Sequence, residues 1–175
     1  KHNGKIVKHI GDSIFATFES PFEGVSCSID FQKYLFDRNQ IVSQNDKIYV
    51  RVGIHMGDVI ERDNDVFGHI VNIASRLEGI CVEGGVAISD EVYKKIDKHS
   101  LHSIEMGYLK LKNIQEPIKV YSLYLSDKEK PRKEDLVNLQ ISRGFNIVNL
   151  KDYQKENIHS LGVLYFKNKS DSSND

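Results

Sequence analysis

IVKHIGDSIFATF, residues 6–18, alternates side chains up to Gly11-Asp12, turns there, and alternates again. A period of two on both sides of a Gly-Asp break is the pattern of a β-hairpin. Ile6, Lys8 and Ile10 should share one face against Val7 and His9, with Ile14, Ala16 and Phe18 continuing against Phe15 and Thr17. A hairpin that could be built from core residues nevertheless carries a lysine in its apolar face and an aspartate at its tip. Those two charges are the first candidates for chemistry.

Working outward, SPFE (20–23) supplies Ser20 as a cap, Pro21 at the first helical position and Glu23 three residues after the cap. The helix that follows should present Phe22, Val25, Ile29 and Phe36, with Gln32 in the same stripe, to the sheet. From Lys47 to Ile60 the period returns to two, which predicts one long strand, bent where Gly53 and Gly57 interrupt it. A polar turn, ERDND, precedes FGHIVNIASRLEGI, where Ile70, Ile73, Leu77 and Ile80 recur at helical spacing. VEGGVAIS then reads as loop and strand, and DEVYKKI as a short helix capped by Ser89 or Asp90. Strands are expected around Tyr108–Ile114 and Ile118–Leu125. Mixed strands with two helices on one face make an α+β sandwich.

Composition limits what such a domain can do. The 175 residues suit one compact domain with extra elements, and 39% hydrophobic against 28% charged residues is a soluble, globular balance. With 24 basic and 25 acidic residues there is no basic field for nucleic acid, and no apolar run approaches a membrane span. Cys27 and Cys81 have no partner motif, so a disulfide scaffold and a thiolate metal site are both disfavoured and a reducing, cytoplasmic setting is expected. His55 and His69 belong to no cluster at ligand spacing. Past residue 125 the charged, periodicity-poor SDKEKPRKEDL suggests a linker over 126–150. Residues 151–175 should begin a following domain or form a frayed polar tail. The opening KHNGKIVK has neither an initiator methionine nor a leader, so the chain is expected to be cut from a longer one.

Taken singly, the candidate residues are unremarkable: an aspartate at a hairpin tip usually forms the turn, and an i,i+4 pair such as Asn72 and Arg76 usually just solvates a helix face. In combination they are specific. KHIGDSIFATF, VRVGIHMGDVI, DVFGHIVNIASRLEG and LKLKNIQEPIKVYSLY resemble, in order and spacing, the catalytic domain of class III nucleotidyl cyclases, the adenylate and guanylate cyclases, over about residues 4–125. That resemblance implies an α+β, ferredoxin-like cyclase fold, an antiparallel sheet with helices packed on it. In this chain the fold would be N-terminally truncated, lacking its first strand and helices. The resemblance also implies a homodimer with active sites at the subunit interface, converting a nucleoside triphosphate to its 3′,5′-cyclic monophosphate and pyrophosphate. By the same resemblance Asp12 is one of two aspartates that hold a pair of divalent ions, Mg²⁺ or Mn²⁺, the other lying upstream of this chain. Lys8 and Asp65 read the purine, Asn72 orients the ribose, Arg76 stabilises the transition state and Lys112 holds the terminal phosphates. A fragment without the upstream aspartate is expected to be inactive or weak. A short stretch, IHSLGVLYFKNKSD, resembles the opening strand of TolB-like domains.

Base choice follows from hydrogen-bond logic. Adenine offers an acceptor at N1 and a donor at N6, which a lysine and an aspartate complement, whereas guanine reverses that edge. Guanine readers in this family carry an acidic residue where Lys8 stands, so ATP is the expected substrate. A guanylate cyclase, or a cyclase-like regulatory and dimerisation module without turnover, are the alternatives.

Overall fold

The computed structural model of the chain describes residues 1–58, 60–62, 65–98, 101–126 and 130–156. β1 (Lys5–Ile10) and β2 (Ser13–Thr17) form the expected antiparallel hairpin. Gly11 closes its tip with φ +62°, a left-handed conformation that costs a glycine little. The alternation is broken at one place. Ile6 pairs with Ala16 but Lys8 pairs with Phe15, so Val7 is the extra residue of a β-bulge. Val7 and Lys8 are consequently both half-buried, between an exposed Ile6 and an exposed His9. The simple two-face reading of β1 is corrected accordingly.

α1 (Pro21–Ile41) starts as the sequence predicts: Glu23 N–H donates to Ser20 Oγ at 3.2 Å, and the Ser20 hydroxyl donates to the Glu23 carboxylate at 3.0 Å. Its buried stripe differs from expectation. Val25, Ser28, Gln32, Leu35 and Asn39 face inward, while Phe22 and Phe36 are 59% and 44% exposed. The reason is polar. Gln32 Nε2 donates to Val50 O and Gly85 O at 2.8 and 2.9 Å, and the Asn39 amide donates to Ile48 O and accepts from Ile48 N–H. Asn39 thereby takes up the Ile48 backbone groups that a strand partner would otherwise satisfy, whereas Val50 O and Gly85 O accept from Gln32 in addition to the backbone N–H of Gly84 and Val52. For the same reason the predicted long strand is not continuous. Among the described residues of that span only β3 (Val52–Ile54) and β4 (Ile60–Arg62) are strands, and 47–51 has no regular secondary structure, with Ile48 and Val50 bonded to Asn39 and Gln32 of α1.

β4 pairs with β5 (Asp65–Phe67), and α2 (His69–Ile80) follows. The main sheet has the order β3-β6-β8-β7-β9, built with β6 (Val86–Ser89), β7 (His102–Lys110), β8 (Ile118–Tyr124) and β9 (Asn146–Val148). β3 and β6 are parallel and every other pair is antiparallel, so the β4–β5 hairpin and α2 form the crossover that a parallel pair requires. Helices cover both faces rather than one. Ile73, Leu77 and Ile80 of α2 join Ala87, Met106, Leu109, Val120 and Leu136 in one core. Val25 of α1 and Val92 of α3 (Asp90–Lys95) join Val86, Ile88, Tyr121 and Leu123 in the other. β6 is therefore buried at all four positions, apolar on three.

The segment expected to be a linker is packed. α4 (Lys133–Ser142) buries Leu136 and Gln140 through one face, which its charged outer face concealed in the composition, and β9 adds a fifth strand beside β7. α5 (Leu150–Glu156) follows. Asp63 in the β4–β5 turn and the TolB-like stretch lie outside the described residues.

Candidate active site

The hairpin tip presents Asp12 to solvent, and four residues back the bulge at Val7 sets the direction of Lys8. β1 lies against β5, whose first residue is Asp65, and β5 in turn lies against α2. The backbone thus brings the strands bearing Lys8 and Asp65 side by side, next to the helix bearing Asn72 and Arg76. Both of those side chains are exposed, on the flank of α2 beside the buried stripe of Ile73, Leu77 and Ile80.

α2 is held by an unusually close approach to β3. A Cβ on Gly53 would stand 2.2 Å from Glu78 N, 2.4 Å from Ala74 O and 2.8 Å from Leu77 C, all backbone atoms that cannot swing away. Arg51 adds a 2.7 Å ion pair to Glu78 on the same helix. Lys112 sits in the turn between β7 and β8, where buried Leu111 and Ile114 anchor the loop and leave Lys112 exposed. Asn113 completes that turn with φ +64°.

The side chains of Asp12, Asn72, Arg76 and Lys112 make no hydrogen bond or ion pair among the described residues, and nothing there joins Lys112 to the other three. Among the described residues no three His, Cys, Asp or Glu side chains cluster as metal ligands. Mg²⁺ normally takes one or two protein carboxylates and completes its shell with phosphate oxygens and water. An exposed carboxylate at the tip of a tight turn, as Asp12 is, is a donor of that kind.

Residues 1–124 match the model of the adenylate and guanylate cyclase catalytic domain. The chain belongs to this family. Over 122 residues it is 32% identical to "Putative adenylate cyclase 3" of Rhizobium meliloti, covering 69% of this chain and 21% of that protein. An adenylate cyclase of Anabaena cylindrica is 28% identical over 143 residues, covering 69% of this chain and 28% of the relative. The cyclase domain therefore spans roughly a fifth to a quarter of the length of these relatives. A crystal structure of an adenylate/guanylate cyclase/hydrolase from Silicibacter pomeroyi superposes with a TM-score of 0.67 at 34% identity, over 72% of this chain and 75% of that one. The adenylyl cyclase CyaB of P. aeruginosa shares the fold, with a TM-score of 0.57 at 24% identity over 74% and 76% of the two chains. The cyclase fold expected from the four motifs is thus present.

Among the titrating groups outside the predicted set, His55 and Cys81 are held by burial. His55, at the end of a strand edge that faces α3, bonds through Nδ1 to the buried Ser89 hydroxyl at 2.7 Å, with a Glu91 oxygen 3.8 Å away. Burial holds its pKa below the ordinary 6.5, helped by His69 and opposed by Glu91. Burial pushes the Cys81 thiol up to about 11, so it stays protonated and unreactive at neutral pH. Sequence reading placed Gln32 on the inward stripe of α1 but missed the bulge at Val7 and the inward amide of Asn39. The amides did leave a signal, since polar groups seven apart on an apolar helix stripe need partners. Among the described residues no helix is long and apolar enough to cross a membrane.

Proposed function

We propose that this cyclase domain is an adenylate cyclase, forming 3′,5′-cyclic AMP and pyrophosphate from ATP at a site shared between two copies of the domain, in the cytoplasm where ATP is supplied. The observation that carries the reading is the adjacency of β1 and β5, because it sets a lysine-bearing strand beside an aspartate-bearing one. Lys8 donates to adenine N1 and Asp65 accepts from the N6 amine. Guanine would leave two donors and two acceptors opposed, at about 1–3 kcal/mol for each unpaired group.

Cyclisation requires the ribose 3′-oxygen to attack the α-phosphorus in line with the departing pyrophosphate. Asn72 holds the ribose so that the 3′-oxygen stays aligned, converting an unlikely encounter into a bound geometry. Arg76, one helical turn further on the same face, meets the negative charge that builds on the transferred phosphoryl group. Lys112 neutralises the β- and γ-phosphates and so favours their departure. Asp12 would hold Mg²⁺ or Mn²⁺, which when bound lowers the pKa of the attacking hydroxyl and draws charge from the phosphates.

The test is cyclic nucleotide formation by the protein in its full cellular length, given ATP or GTP with Mg²⁺ or Mn²⁺. Cyclic AMP from ATP, abolished by Asp12→Ala, is the expected result. In the same assay Lys8→Glu should shift the ratio of GTP to ATP use upward by about 10–100-fold. No product from either nucleotide, with binding retained, would replace the enzyme reading by the regulatory module.

A further inference from the structure

The two elements that carry Arg76 and Lys112 both rest on residues beyond 124, where the family match ends. In the last turn of α2, the Ile80 carbonyl accepts from Gln140 Nε2, and next to it Arg143 Nη1 donates to Cys81 O at 2.9 Å. At the β7–β8 turn, Lys110 Nζ donates to Gln115 O and, at 2.7 Å, to the Tyr153 hydroxyl. That hydroxyl donates to Gln115 O at 2.8 Å. β9 pairs with Tyr108–Lys110, ending two residues before Lys112.

Gln140 is not explained by stability. It is 1% exposed, and its Oε1 has no hydrogen-bond partner among the described residues although Ser122 lines the same small cavity. A buried amide with one end unpaired is costly, and an apolar side chain of similar volume would fill the seam without that cost. What the amide does achieve is to grip a helix-end carbonyl that would otherwise be orphaned.

We propose that α4, β9 and α5 are part of the catalytic unit, with Gln140 and Tyr153 as positioning residues: Gln140 fixes the axis of α2 for Arg76, and Tyr153 fixes the β7–β8 turn for Lys112. This rests on the cyclase reading above. Because Arg76 acts on the transition state and Lys112 on the bound phosphates, the two residues should affect different kinetic constants. A loosened α2 lowers kcat; a loosened turn raises KM.

The experiment is steady-state kinetics of the full-length protein with ATP and Mg²⁺, joined to amide hydrogen exchange and a thermal midpoint. Gln140→Met should lower kcat about tenfold with KM within about twofold and the midpoint near wild type. Tyr153→Phe, which deletes one hydroxyl, should raise KM about tenfold with kcat within about twofold. Should Gln140→Met not fold, Arg143→Met removes the second bond to the same helix end from an exposed position, and the same loss confined to kcat is expected. Wild-type kinetics in all variants, or kcat and KM effects that merely follow the folded fraction, overturn the proposal. An inactive wild type sinks the cyclase reading instead, and exchange then decides the positioning. Faster exchange at residues 77–81 in the Gln140 variant and 111–114 in the Tyr153 variant upholds it, and unchanged exchange overturns it.

Discussion

At the scale of single residues, Asp12, Asn72, Arg76 and Lys112 are exposed polar groups whose side chains make no hydrogen bond or ion pair among the described residues. Arg76 has no partner among the described residues, so Arg76→Ala should leave the thermal midpoint unchanged while lowering kcat by about 10²–10³. A circular-dichroism melt beside the cyclase assay checks both halves of that statement. His55 makes a different prediction. Burial keeps it neutral in the fold, with a pKa below the 6.5 of the unfolded chain. Between those two values the unfolded chain binds the extra proton, so stability is fully present above 6.5 and is lost as pH falls toward the folded value. The midpoint should therefore drop on going from neutral to mildly acid buffer, and His55→Gln should flatten that part of the slope. An equal drop in the variant would assign the acid sensitivity to carboxylates.

At the scale of elements, the decisive contact is α2 on β3, closed to backbone distance at Gly53. Gly53→Ala must push the helix outward or bend the strand, and overpacking of this kind costs about 1–3 kcal/mol. A lower denaturant midpoint with a further fall in kcat, beyond the loss of folded protein, is the expected outcome, because the displaced helix carries both Asn72 and Arg76. The amides of α1 form a second such device. Gln32→Leu would remove the side-chain donor to Val50 O and Gly85 O, which keep the backbone donors Gly84 N–H and Val52 N–H, so the loss is that of two ordinary hydrogen bonds, about 0.5–1.5 kcal/mol each. Urea titration of the variant measures the sum. Helix positions were legible in the sequence because capping and 3.6-residue spacing are local properties. The inward face of α1 was legible through Val25 and Gln32 but its extent was not, since Phe22 and Phe36 outweigh Ser28 and Asn39 in any hydrophobicity count. The Asn39 amide is buried against the backbone of Ile48, a partner nine residues on that the helix pattern does not show.

At the scale of the whole molecule, a shared site predicts complementation. An Asp12→Ala chain and an Arg76→Ala chain, each inactive alone, should together recover one working site per mixed dimer, measured as cyclic AMP formed after co-expression in full-length form. A mixture as inactive as its components would mean that the metal and transition-state residues come from one subunit. The sheet also reaches further along the chain than the family motifs do. β9 comes from a segment whose composition reads as a linker, and it extends the sheet beside β7.

The sequence by itself determined the hairpin, the two amphipathic helices and the four cyclase motifs, because turn chemistry, caps and short-range periodicity are written in neighbouring residues. It could not show the bulge that redirects Lys8, the approach of α2 to Gly53, or the docking of α4 and β9. Each of these depends on a partner distant along the chain, and only the packed tertiary structure specifies which partner that is.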